Sequence, residues 1–124
     1  MTDDLREQGR DIRTRLWGSE SVALSEQFLG NFDPGFEHLV NEQLFGAVWN
    51  RNGIPIETRS LITIAALVAL GKPQELAVHI RGARNLGIAD EVIKEVLVHV
   101  AHYAGVPAGV EAARVYAEVA GRVQ

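Results

Sequence analysis

The sequence predicts an all-α fold, and three observations carry that prediction. No stretch alternates polar and apolar residues with the period of two that a half-buried strand requires. Gly and Pro punctuate the second half at Gly71 and Pro73, Gly87, Gly105 and Pro107, and Gly121; Gly accepts the left-handed conformation just past a helix end and Pro suits a first helical position. The segments between these marks are helix-length and place apolar residues at i, i+4 and i+7. About six helices joined by short turns are expected, in one domain spanning 1–124, with N-terminal helices over 1–32 and core helices over 33–121.

Residues 4–17 alternate Arg and acids with few apolar positions and read as a surface helix, followed by a short helix over 21–30. Asp33-Pro34 joins an N-cap acceptor to a first-turn proline, and Phe36, Leu39, Val40, Leu44 and Val48 follow at helical spacing over 34–50. Residues 56–70 are almost wholly apolar, so a central, buried helix is expected there. Leu76, Ile80 and Ala83 give 73–86 a core stripe, and Ile93, Val96, Leu97, Val100 and Ala104 do the same for 90–104. The last helix, 107–120, carries the small stripe Val110, Ala113, Ala117 and Ala120, which suits close contact between helices or subunits.

The 12 basic and 16 acidic side chains leave a net charge of −4, with no clustered positive footprint for nucleic acid. The longest apolar run, Leu61 to Leu70, is far short of the ~20 residues that cross a bilayer, and Met1-Thr2-Asp3-Asp4 is no secretory leader. The expected setting is therefore the cytoplasm, with neither membrane nor nucleic acid as partner. The chain has no cysteine, which excludes disulfides, thiolate metal sites and dithiol redox chemistry. Any catalysis must run on His, Glu, Asp, Arg, Ser or Tyr.

Four histidines are the natural candidates. His79 follows Glu75 by four residues, so a carboxylate one turn away can orient the imidazole and support its charged form, or the two form an ordinary surface pair. His99 leans into an apolar stripe beside Tyr103, as a core histidine or a pocket wall, and His102 belongs to the polar side of its helix. Glu95, His99 and His102 do not complete a metal site, and no metal is expected. His38 and Glu42, again four apart, read as a local pair, and Trp49 as a pocket wall or a packing residue.

Thr58-Arg59-Ser60-Leu61, His79-Ile80-Arg81-Gly82-Ala83, Ile93-Lys94-Glu95-Val96-Leu97 and Tyr103-Ala104-Gly105-Val106-Pro107-Ala108 occur in order, preceded by Gly46-Ala47-Val48-Trp49. Over residues 45–117 this resembles the 4-carboxymuconolactone decarboxylase family, and hence an alkylhydroperoxidase D-like helical bundle. The related peroxidase branch works through a CxxC dithiol and a histidine; aligned on His79, Lys72 and Glu75 stand where those cysteines would be, and Ser60 where that branch has a glutamate. Thiol peroxidase chemistry is thereby excluded.

The resemblance implies a decarboxylase of a small lactone acid that needs no cofactor. Electrons released with CO2 run through a double bond into the lactone carbonyl, so the substrate supplies its own electron sink. The protein must stabilise the resulting dienolate and deliver a proton. On this reading His79, Glu42 and Ser60 are the catalytic candidates, and Arg59, Arg81, Trp49, His99 and Glu75 bind substrate, in a pocket formed mainly by helices 34–50, 56–70 and 73–86. The resemblance also implies a homotrimer or homohexamer. In the N-terminal third, the family's His and Arg of an RxxVLGxxHVxR element are replaced by Ser21 and Leu24, which leaves room for another small carbonyl acid or lactone. An isomerase or hydrolase on the same scaffold, and a non-catalytic helical assembly protein, are the alternatives.

Overall fold

The computed structural model describes residues 2–121, and among them every regular element is helical. The chain divides into two compact units, Met1–Ile56 and Glu57–Gln124.

In the N-terminal unit, α1 (Thr2–Trp17), α2 (Ser19–Phe32) and α3 (Pro34–His38) are followed without a break by a wide helix, Leu39–Val48, of the i→i+5 type. The Trp49 amide donates to the Leu44 carbonyl at 2.9 Å and ends it in the same register. Asp33 caps α3 as its sequence predicts, its carboxylate accepting from the Gly35 amide at 2.8 Å, with Pro34 in the first turn. The wide helix lies directly on α1 through two glycines: a methyl at Gly9 would collide with the Asn41 carbonyl oxygen, and one at Gly46 with that of Leu5.

The expectation of a mere surface helix over 4–17 fails at three positions. Ile12, Arg13 and Leu16 are buried. Arg6, Arg10 and Arg13 recur at i, i+4 and i+7, one face of the helix, and each is paired with a group on another helix. Arg6 meets Glu37, Arg10 meets Glu26, and Arg13 donates to Asn41 at 2.8 Å and Ser25 at 2.9 Å. The apolar part of this unit is aromatic: Phe45 stacks near Trp49 (5.4 Å) and edge-on to Trp17 (5.7 Å), with the Arg13 guanidinium over its face.

The C-terminal unit comprises α4 (Ile56–Leu70), α5 (Pro73–Asn85), α6 (Asp90–Ala104) and α7 (Val106–Gly121). Its core is aliphatic: Ile64 and Val68 of α4, Leu76, Ile80 and Ala83 of α5, Ile93 and Leu97 of α6, and Ala112, Val115 and Val119 of α7. Gly87 ends α5 with φ +87°, its amide bonded to Arg84 O and the Ile88 amide to Ala83 O. This leaves Ile88 packed on the core, as the glycine-terminated helix end favours.

One apolar surface, on α4, differs from the expectation of burial, and a second lies on α7, where the small stripe left contact between helices or between subunits open. On α4, Ile62 and Leu70 are exposed, along with Ala66 and Ala69. On α7, Val110, Ala113 and Ala117 face outward while Ala112, Val115 and Val119 take the core. No helix among the described residues is long and apolar enough to cross a membrane.

Candidate functional site

The predicted site residues fall into the two units. In the C-terminal unit, Ser60, Ile64 and Val68 recur at i, i+4 and i+8, so Ser60 continues the core face of α4 toward its N-terminus. It is wholly buried, and its hydroxyl has no hydrogen-bond partner among the described residues. Arg59 precedes it, half-buried, its carbonyl accepting from the Thr63 hydroxyl at 2.9 Å. Both residues sit in the first helical turns because Ile56 to Leu70 begins after the Asn52-Gly53 turn.

His79 stands beside Ile80 and three residues after Leu76, on the side of α5 that meets the core, and is half-buried. Burial pushes its imidazole down to about 4, because a charged ring loses hydration there. Glu75, one turn earlier, is exposed. His79 is therefore a neutral imidazole near pH 7, with one ring N–H to donate. Arg81 is exposed on α5.

His99 is exposed rather than set in the core. Its ring lies 5.1 Å from that of Tyr103, and it lines a shallow groove with Ala65, Ala66 and Ala69 of α4. The offset of one residue decides this, since Val96 and Val100 take the inward positions around it. His102 is solvent-exposed, as its polar neighbours suggest. A separate apolar groove of about 410 Å³, lined by Leu97, Val98, Ala101, Val106, Val110 and Ala113, runs between α6 and α7.

In the N-terminal unit, Trp49 is buried in the aromatic cluster. Glu42 is buried as well, on the wide helix, with its Oε2 accepting from His38 Nδ1 at 2.6 Å and from Arg6 at 3.4 Å. Arg6 also forms a two-point pair with Glu37, at 2.9 and 3.0 Å, and this bond holds its guanidinium protonated above its usual range. Burial lowers Arg13, against the pull of Glu26. Sequence spacing shows the His38–Glu42 pair but not Arg6 or Arg13, whose partners lie on distant segments. Ser21 and Leu24, the departures from the family's N-terminal element, are exposed on α2.

Among the described residues the chain is all-helical, with a half-buried histidine on α5 and a Thr-Arg-Ser start to α4, the arrangement of a small helical enzyme. Residues 34–118 match the carboxymuconolactone decarboxylase family, and the chain belongs to it. It is similar to the 4-carboxymuconolactone decarboxylase of Acinetobacter baylyi, with 39% identity over 120 residues, covering 96% of this chain and 90% of that protein. It is also similar to the nitrosuccinic acid decarboxylase of Metarhizium robertsii, with 33% identity over 108 residues, covering 87% of this chain and 76% of the relative.

Proposed function

We propose that this chain is a carboxy-lyase that removes CO2 from a small dicarboxylic acid whose reacting carbon is joined to an electron acceptor. The observation that carries the reading is relatedness over most of the chain to two decarboxylases whose named substrates share that chemistry. In 4-carboxymuconolactone the acceptor is an unsaturated lactone; in nitrosuccinic acid it is a nitro group. In each, the C–C bond to the carboxylate breaks and its electron pair moves onto acceptor oxygen, as dienolate or nitronate. One proton then returns to carbon. Such a substrate needs no added electron sink, so the reaction proposed is cofactor-independent.

His79, neutral through burial, supports the oxyanion through an N–H donor. Ser60 supplies a second donor, since its buried hydroxyl has no hydrogen-bond partner among the described residues. Arg59 and Arg81 hold the retained carboxylate by forked, charge-assisted bonds. Glu75 and His99 of the same unit add to substrate recognition; in the N-terminal unit, considered by itself, Trp49 is the binding residue and Glu42 contributes acid–base chemistry. Of the two acids the lactone is the first choice, on the higher identity and the fuller coverage of its enzyme.

The chain acts as a homo-oligomer, a trimer or hexamer. The exposed Leu24, Phe28 and Phe32, one turn apart along α2, and the outward faces of α4 and α7 support this. Light scattering of the purified protein should give a multiple of 13.6 kDa; a monomer alone rejects the assembly.

CO2 release from 4-carboxymuconolactone and from nitrosuccinic acid, followed in parallel, tests the activity. Turnover of at least one acid is expected, with kcat reduced about 10²–10³-fold in His79→Ala. No release from either acid removes the reading, and unaltered turnover in His79→Ala removes the role given to His79.

A further inference from the structure

His38 and Glu42 are more than a local helix pair. Glu42 lies on the wide helix with its side chain 5% exposed, whereas the His38 side chain is 45% exposed. The hydrogen bond between them is short, 2.6 Å from His38 Nδ1 to Glu42 Oε2. That bond places the imidazole N–H on the buried side and leaves Nε2 as the exchangeable nitrogen. A solvent-facing imidazole backed by a buried, fixed carboxylate is the arrangement that orients a proton carrier.

The groups facing the pair from the packed elements are Arg6 of α1 and Glu37 of α3. Arg6 is held by two bonds to Glu37 and reaches Glu42 Oε2 with one arm. Two carboxylates therefore share one guanidinium. Glu42 Oε1 is buried with no hydrogen-bond partner among the described residues, so this carboxylate is not fully spent on its present bonds. The wide turn that carries Glu42 is itself an uncommon element that recurs at functional sites.

We infer that His38 is the acid–base group of the N-terminal unit, exchanging a proton with a small acid substrate, and that Glu42 is its positioning residue. The inference rests on the decarboxylase reading above and deepens it by assigning Glu42 an action through His38 rather than direct contact with substrate. The proton consumed when CO2 leaves carbon comes from solvent by way of His38 Nε2, and His38 recovers it from water.

His38→Ala should lower kcat for the acid that is turned over by about 10²-fold or more, with KM little changed, and added imidazole should restore part of the rate. Glu42→Gln should also lower kcat, without rescue by imidazole, since the ring is still present but no longer set. Turnover by His38→Ala within about threefold of the parent overturns the inference, as does a loss that imidazole leaves untouched while the fold is intact by circular dichroism. If the parent turns over neither acid, the decarboxylase reading fails on its own. The pair is then judged by nitrogen-15 NMR of neutral His38: an Nδ1–H tautomer that is lost in Glu42→Gln supports it, and an Nε2–H tautomer in the parent overturns it.

Discussion

The two units place their histidines in opposite surroundings. In the C-terminal unit, aliphatic stripes from four helices make a dry core, and His79 at its border is held neutral because burial strips hydration from its charged form. In the N-terminal unit, charged groups do much of the packing: Arg13 is 2% exposed, Glu42 4%, and Asn41 fully buried. There a histidine meets a carboxylate at 2.6 Å. One side-chain type thus yields an uncharged hydrogen-bond donor in one setting and a carboxylate-backed proton carrier in the other, and the difference lies in what each helix has to bury.

Three measurements sharpen that contrast. The largest effect is expected where backbones touch. In Gly46→Val the new side chain meets the Leu5 carbonyl, which cannot move as a side-chain end could, and a loss of about 4 kcal/mol or more follows. Hydrogen exchange should show the increase concentrated in residues 4–49; an increase confined to 57–121 would contradict the packing described. Next comes Ile80→Ala, which empties a wholly buried site in the aliphatic core and should lower stability in urea by about 3 kcal/mol. A cost below about 1 kcal/mol would mean that the site collapses around the cavity.

The smallest effect concerns pH. His79 is held at about 4 in the folded chain, against about 6.5 unfolded. As pH falls, the unfolded chain takes up the proton first. The stability present above pH 6.5 is therefore lost between about 6.5 and 4 and levels off below. His79→Gln should lack this component when its urea midpoint is compared with the parent's across that window. Parallel curves would place the ring in water.

Most of the C-terminal unit was legible because its determinants are local. Leu76, Ile80 and Ala83 announce their stripe by spacing alone, and Gly71 and Gly87 mark helix ends through their backbone freedom. The outward turn of Val110, Ala113 and Ala117 was not legible, since a small-residue stripe fits a helix partner and a subunit partner equally well. In the N-terminal unit the burial of Arg13 escaped periodicity analysis, which counts Arg as polar and therefore outside. Its partners, Ser25 and Asn41, are 12 and 28 residues away. Arg6 and Glu37 are 31 apart; only folding brings them together. Of the candidate site, the identity of His79 and Ser60 followed from family likeness, while the neutral state of His79 required knowing its surroundings. His38 was visible beside Glu42, but the burial of one partner and exposure of the other, which makes the pair chemically asymmetric, was not.

The wide helix Leu39–Val48 has a consequence for how this chain can change over generations. A turn closed over five residues holds one more than an α-turn, so chain length as well as residue identity decides which side chains face α1. Deleting a single residue there would let the segment tighten toward an ordinary helix and rotate everything on one side of the deletion relative to the other. Asn41 and Glu42 could then no longer share α1 with Gly46. Insertions and deletions, and not substitutions alone, are therefore events by which a descendant of this chain would gain or lose its buried carboxylate.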